Sequence, residues 1–217
     1  MTKLKIAVLV SGSGSNLQVL IDHMQAGTLP IEIVGVISNV QDAYAVTRAN
    51  NAGLDTVVLS HTESGKRMGI KTFEMHALNQ LRTWSPDVIV LAGFMRILSA
   101  EFTDSVPCPM INLHPSLLPN YKGLDTHARV LRAGERLHGC SVHLVTSELD
   151  AGQVLTQACL SVHQNDTASI LQARVQKLEH ALVPLTIDLI AKGVLDLTNL
   201  ANAQTFMQLP YRFELDV

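Results

Sequence analysis

Three runs that are apolar and β-branched almost throughout, Leu4 to Val10, Ile31 to Ile37 and Val88 to Ala92, constrain this chain more than any other feature. A strand with one wet face alternates polar and apolar residues. A continuous run must be covered on both faces, which favours a parallel sheet between helices. Segments with helical spacing lie between the runs. From Ser15, Leu17, Leu20, Ile21 and Met24 form one stripe that Gly27 ends. Asp42 is the expected N-cap of a second helix, stopped by Gly53, and Thr56 to Leu59 reads as a short strand. Between Lys66 and Trp84, Ile70, Phe73, Ala77, Leu81 and Trp84 recur at three- and four-residue intervals, which predicts an amphipathic helix.

The second half is patterned differently. Met110 to Leu113 is a brief strand feeding His114-Pro115, and Thr126 and Gly134 bracket a short helix. Ser141 to Val145 and Val154 to Val162 are strand-like, joined across the acidic turn Glu148 to Gly152, so a hairpin-type connection is expected. Asp166-Thr167 caps a long helix with a seam of Leu171, Val175, Leu178, Leu182, Leu185 and Leu189, which Pro184 is expected to kink. Beyond Gly193 the pattern is weak. The expected fold is α/β, an open, mostly parallel twisted sheet that becomes mixed in the C-terminal half, with helices on both faces. Without repeat or linker, one domain over 1–217 is expected.

Composition narrows the function. The 217 residues are 47% hydrophobic and 16% charged, which excludes disorder. A net charge of −3 leaves no broad basic field for nucleic acid. The longest apolar stretch, Val88 to Met95, is far short of the about 20 residues of a membrane span. Lys3 and Lys5 precede only Ile6 to Val10, too short for a signal-peptide core. Cys108, Cys140 and Cys159 are odd in number and lack C-x-x-C spacing, and the nine histidines form no H-x-x-x-H cluster, so no disulfide framework and no metal are expected. A soluble, cytoplasmic protein is the expectation.

Two segments carry chemistry. Ser11-Gly12-Ser13-Gly14-Ser15-Asn16 joins the first strand to the first helix, where backbone N–H groups and a helix N-terminus converge on an anion in open α/β sheets. Asn16-Leu17 stand where a P-loop needs Lys-Ser/Thr, and Ser38-Asn39 stand where a dinucleotide fold needs an acid, so a single phosphate fits better than a nicotinamide cofactor. An ordinary turn needing glycines for positive φ explains the segment equally well. The other segment is Asn112-Leu113-His114-Pro115-Ser116-Leu117-Leu118-Pro119. Asn112 and His114 share a strand face, and an amide beside an imidazole suits a carbonyl oxygen gaining negative charge. On these residues alone, a strand end with a hydrogen-bonded histidine is the more economical reading.

Ser11 to Asn16, Leu91-Ala92-Gly93-Phe94-Met95-Arg96-Ile97-Leu98, Asn112 to Pro119 and Leu149-Asp150-Ala151-Gly152 occur in one order and with one spacing. By these four segments the chain resembles the phosphoribosylglycinamide formyltransferase family of folate-dependent enzymes, over all but the last ~20 residues. The resemblance implies a Rossmann-like fold, with a phosphate-binding half over 1–105, a catalytic and folate-binding half over 106–195 and a tail over 196–217. It also implies transfer of a formyl group from 10-formyltetrahydrofolate, as co-substrate, to the amine of glycinamide ribonucleotide in purine biosynthesis. Asn112, His114 and Asp150 match the catalytic trio, with Asp150 expected to hold His114 protonated. Gly14, Ser15 and Asn16 match the ribonucleotide-phosphate turn. Gln176 and Glu179 match positions reaching the same nucleotide, although a solvated helix face explains that pair too. Met95, Arg96, Ile97 and Leu98, with Asn112, match the folate pocket.

Two positions depart from the pattern. Ile70 stands where an arginine often meets the folate glutamate tail, leaving Lys66, Arg67 and Lys71 as the nearby bases, and Asp125 replaces a histidine. His143 is placed as a neighbour of the trio. Partners are expected to be small molecules, with a monomer or homodimer. The rivals are a formyltetrahydrofolate deformylase, against which the start of the chain at strand one counts, and a methionyl-tRNA formyltransferase, which needs a further C-terminal domain and more positive charge. A non-catalytic nucleotide-binding module has no need of the trio.

Overall fold

The computed structural model describes residues 2–60, 62–63, 66–67, 69–198 and 211–214, of which 62–63, 66–67 and 211–214 are described by backbone alone. The chain forms two compact units, Met1–Ile111 and Asn112–Val217.

In the first unit the apolar runs become β1 (Leu4–Val10), β2 (Ile31–Ser38) and β6 (Val88–Leu91), with β3 (Thr56–Val58) beside β2. All are parallel, in the order β6-β1-β2-β3. Ile6 to Val10 are fully buried, as a strand covered on both faces must be. The helices are α1 (Ser15–Gln25), α2 (Tyr44–Asn51), α3 (Ile70–Trp84) and α4 (Ala100–Ser105).

Two expectations are corrected in this unit, and one helix is new. Asp42 does not cap α2. Ala43 is the N-cap, and the Ala45 N–H donates to the Gly12 carbonyl at 3.1 Å, so a backbone group from the first turn replaces a side-chain cap. The helix expected from Lys66 begins at Ile70, because Lys66–Arg67 (β5) pair antiparallel with Thr62–Glu63 (β4). Helix α4 was not expected. It is capped by Ser99, whose Oγ accepts from Phe102 N (3.1 Å) while its N–H and hydroxyl donate to the buried Glu74 carboxylate at 2.6 and 2.7 Å. The residue that secures this cap is thus 25 positions away in sequence.

The strand β7 (Met110–His114) leads into the second unit, which contains α5 (Thr126–Ala133), β8 (Leu137–Leu144), β9 (Val154–Ser161), α6 (Ala168–Ala191) and β10 (Tyr211–Glu214). The expected hairpin is present: β8 and β9 are antiparallel, whereas β10 joins β9 in parallel, so the sheet is mixed here. The fold is therefore α/β, parallel in the first half and mixed in the second.

Strand β8 starts four residues earlier than its sequence suggests. A Cβ on Gly139 would fall 1.9 Å from the Ala158 carbonyl oxygen, so the glycine is what lets β8 approach β9. In α6, Leu171, Val175, Leu178 and Leu182 are buried as expected, but burial then passes to Val183, Thr186, Ile187 and Ile190 rather than Leu185 and Leu189. At roughly 100° per residue the burial turns by about 100° after Leu182, so the covered side of the helix changes along its length. The helix runs unbroken through Pro184. The weakly patterned tail contains β10, which its sequence did not announce. Among the described residues no helix is long and apolar enough to cross a membrane.

Candidate active site

Four polar side chains converge in the second unit. Asn112 and His114 project from β7 and His143 from β8, while Asp150 comes from the loop closing the β8–β9 hairpin. The His114 Nδ1 lies 3.4 Å from Asp150 Oδ2, and His143 Nε2 lies 3.6 Å from Asp150 Oδ1 and 3.1 Å from Asn112 Nδ2. His114, His143 and Asp150 are all buried. The structure thus brings together Asn112, His114 and Asp150, the trio picked out in the sequence, and adds His143 at its centre.

The surrounding backbone fixes the trio. The Ser141 hydroxyl donates to the Ser116 carbonyl at 2.7 Å and accepts from Leu118 N at 3.1 Å, while Gln157 Nε2 donates to both Ser141 Oγ (2.8 Å) and the Leu118 carbonyl (2.9 Å). These buried bonds seat the loop after His114 on β8 and β9. Asp150 adopts φ 49°, a left-handed conformation that aspartate tolerates better than most residues. Its Oδ2 accepts from Gly123 N at 2.9 Å. Two residues on, a Cβ on Gly152 would fall 1.9 Å from the Leu144 carbonyl oxygen, so only glycine lets this loop fold back onto the end of β8.

Partner chemistry assigns the protons. Carbonyls only accept, so His114 Nε2 carries the hydrogen it donates to the Tyr121 carbonyl at 2.9 Å, and His143 Nδ1 carries the one it donates to the Leu144 carbonyl at 2.8 Å. The nitrogen of His114 left for proton exchange is therefore Nδ1, facing Asp150. Burial lowers the His114 pKa; the Tyr121 carbonyl and the Asp150 carboxylate oppose that shift without cancelling it, and the charges of His143 and Arg129 add to it. The expectation of a resting imidazolium is thus corrected: desolvation outweighs the carboxylate, and His114 is neutral at pH 7. For Asp150 burial pushes the pKa up, but the close approach of His143, the hydrogen bond from Gly123 N–H and the nearness of His114 outweigh it and hold the carboxyl below its usual value.

Behind the trio, His127 Nδ1 and His138 Nε2 are 3.0 Å apart with their rings edge to face. Burial, and then the charges of His127 and His114, lower the His138 pKa to about 4. Asp125, the departure noted in the sequence, is the exposed N-cap of α5 with φ 56° and makes no side-chain cap.

Elsewhere in the second unit, Gln176 is exposed and Glu179 half-buried on α6. Burial, and then the Glu179 charge, push the Cys140 thiol well up, which places Glu179 within electrostatic reach of β8.

The first unit holds the glycine-rich turn. Gly14 is the N-cap of α1 with φ 69°, and a Cβ there would lie 2.6 Å from Ala45 Cβ. Ser11 Oγ donates to Asn39 Oδ1 (2.5 Å) and accepts from Met95 N (2.7 Å), tying the turn to the ends of β2 and β6. Arg48 Nε donates to the Ser13 carbonyl at 2.9 Å and its Nη1 to Gln18 Oε1 at 2.9 Å, which brings a cation beside the turn. Ser15 is half-buried and Asn16 buried at the start of α1. After β6, Met95 and Ile97 expose 70% and 72% of their surface, Leu98 is buried, and the Arg96 guanidinium sits 4.7 Å above the Phe73 ring. Lys71 is exposed at the start of α3, whereas the side chains of Lys66 and Arg67 lie outside the described residues.

Sequence reasoning named His143 only as a neighbour. Its signal was a histidine among the otherwise uncharged residues Ser141 to Val145. The Tyr121 carbonyl and the Gly123 N–H, as backbone groups, left no signal of their own.

The glycine-rich turn after β1 in the first unit, and in the second the Asn-His-Asp cluster with His114 and Asp150 buried and Asn112 half-buried, supply the anion donors and acid–base groups that enzymes of carbonyl chemistry use. Residues 4–187 match the sequence model of the formyl transferases, and the chain belongs to that family. It is 42% identical over 190 residues to the phosphoribosylglycinamide formyltransferase of Escherichia coli, with 88% of each chain covered. It is also 39% identical over 195 residues to the human trifunctional purine biosynthetic protein adenosine-3, covering 90% of this chain and 19% of that protein. Among solved structures, the phosphoribosylglycinamide formyltransferase of Coxiella burnetii superposes with a TM-score of 0.82 at 46% identity over 88% of both chains.

Proposed function

We propose that this protein transfers the formyl group of 10-formyltetrahydrofolate to the amine of glycinamide ribonucleotide, as one formyltransferase domain using diffusible small molecules in the cytoplasm. The observation that carries the reading is the buried His114–Asp150 pair beside Asn112, in a chain so similar to enzymes named for this reaction.

The substrate amine attacks the formyl carbon, and the carbonyl electron pair moves onto oxygen. One Asn112 N–H is engaged by His143 Nε2, and the other is the donor for that oxygen. The amine becomes cationic as it bonds to carbon, and its proton passes to the bare Nδ1 of His114, directly or through a water held by Asp150. A neutral resting imidazole suits this step, because the new negative charge is what favours the imidazolium. As the tetrahedral intermediate collapses, the carbon–nitrogen bond to folate breaks and the Nδ1 proton goes to the departing nitrogen.

Gly14, Ser15 and Asn16 hold the ribonucleotide phosphate through backbone N–H groups at the start of α1, with the Arg48 cation favouring the anion. Gln176 and Glu179 receive the ribose and glycinamide ends. Met95 to Leu98 line the pterin pocket, consistent with the exposed apolar surface of Met95 and Ile97. One of Lys66, Arg67 or Lys71 takes the place of the missing arginine toward the folate glutamate.

The test is tetrahydrofolate release from 10-formyltetrahydrofolate with and without glycinamide ribonucleotide. Release that requires the ribonucleotide is the expected result; release without it makes the protein a hydrolase and overturns the reading.

A further inference from the structure

The loop between β7 and α5 supplies two backbone groups to the trio: the Tyr121 carbonyl accepts from His114 Nε2 and the Gly123 N–H donates to Asp150 Oδ2, both at 2.9 Å. Tyr121, Gly123 and Asp125 have φ of 58°, 78° and 56°. Two of the three are L residues in a region they seldom occupy, so this loop does not hold its shape by local preference. Something outside it must.

That role falls to one side chain of α5. Arg129 Nη1 donates to the Lys122 carbonyl at 2.6 Å and to the Leu124 carbonyl at 3.2 Å, the carbonyls of the two residues on either side of Gly123, the first of them in the same peptide as the Gly123 N–H. The same guanidinium lies 5.4 Å from the centre of the Tyr121 ring, whose hydroxyl donates to Glu135 Oε1 at 2.7 Å. Arg129 enters no ion pair among the described residues. Its hydrogen bonds go to this loop. Sequence reasoning gave it no role, since a basic residue on a short helix is normally a solvated one.

We infer that Arg129 is a positioning residue, clasping residues 121–125 so that the Gly123 N–H orients Asp150 and the Tyr121 carbonyl fixes the proton and ring angle of His114. The inference deepens the proposed formyl transfer and rests on it for its kinetic consequence, but the clasp exists in the ligand-free protein and can be read there. The groups facing His114 are Asp150 from the hairpin loop, His143 from β8, Arg129 and His127 from α5, and His138 from β8. Arg129 opposes protonation of His114, so its charge cannot be what makes the imidazole basic. Its contribution is geometric.

The experiment compares the full-length wild type with Arg129→Gln and Arg129→Lys, by steady-state kinetics and by nitrogen-15 NMR titration of His114 without ligand. Both variants are expected to lower kcat ~10- to 100-fold, the order of loss from misplaced catalytic groups, with KM for either substrate changed by less than about threefold. The Nε2 resonance of His114 should move toward that of an unbonded N–H in both. In Arg129→Gln the His114 midpoint should also rise, since a nearby cation is removed, whereas in Arg129→Lys it stays near the wild-type value. Full recovery of kcat by lysine would reduce the role to charge and overturn the inference. Unchanged kcat and His114 resonances, with only a lower melting temperature, would also overturn it by making Arg129 merely structural. A wild type without ribonucleotide-dependent folate release would defeat the proposed function, while the ligand-free resonances would still decide the clasp.

Discussion

The turn at 11–16 and the cluster around Asp150 are built by opposite means. The turn is largely backbone: its shape comes from one left-handed glycine, one serine hydroxyl bridging two strand ends, and an arginine on the carbonyl of Ser13. The Asp150 cluster consists of side chains from β7, β8 and the hairpin loop, aimed by carbonyls and N–H groups up to 27 residues distant. A backbone device tolerates change in its side chains but not at its glycine. A side-chain device should behave the other way, keeping its fold and losing its chemistry.

The largest effect that can break this contrast is expected at Asn112 and Asp150. Asn112→Ala and Asp150→Ala should remain folded, by circular dichroism and urea midpoint, while kcat falls ~100- to 1,000-fold. Turnover like that of wild type in either would end the assignment. Next comes Gly14→Ala, which must place a methyl group 2.6 Å from Ala45 Cβ at φ 69°. A stability loss of about 2–4 kcal/mol is expected from the urea midpoint, with ribonucleotide affinity falling before kcat does. An unchanged midpoint would show that the turn can shift and is no rigid device.

A third prediction concerns acid. His138 has a folded pKa of about 4 against an ordinary 6.5, so the unfolded chain takes up its proton first. Stability from its neutral form is complete above pH 6.5, declines as pH falls through that value, and is exhausted below about 4. The total is on the order of 3 kcal/mol. His138→Leu should flatten the stability–pH curve in this window, and a curve as steep as wild type would place the acid sensitivity elsewhere. The smallest shift is expected for Asp150→Asn. Removing the carboxylate should lower the His114 midpoint further, because Asp150 works against the effect of burial. An upward movement in the NMR titration would contradict the electrostatics described here.

The same contrast explains what could be read before any coordinates. The strands β1, β2 and β6 and the Gly14 turn were legible because their determinants are contiguous: unbroken apolar runs and a glycine at a strand exit. Asn112 and His114 were legible as a pair because a strand period of two puts them on one face. Asp150 and the function itself came from resemblance, not from periodicity. The protonation of His114 was misjudged because a carboxylate in the motif is visible in sequence whereas burial is not. Helix α4 rests on Glu74, and the aim of Asp150 on Gly123 and Arg129, all remote in sequence. The leucine seam of α6 misled after Leu182 because which side of a long helix is covered depends on what packs against it, and the burial turns there to Val183, Thr186, Ile187 and Ile190.

The central claim is that Asn112, His114 and Asp150 move a formyl group between two bound small molecules. Its most direct test follows a carbon-13 label in the formyl group of 10-formyltetrahydrofolate when the wild-type protein is mixed with glycinamide ribonucleotide. The label should appear on the ribonucleotide amine in one-to-one proportion with the tetrahydrofolate formed, and should remain on folate with Asp150→Ala. Label recovered as free formate, or transferred equally well by that variant, would contradict the account.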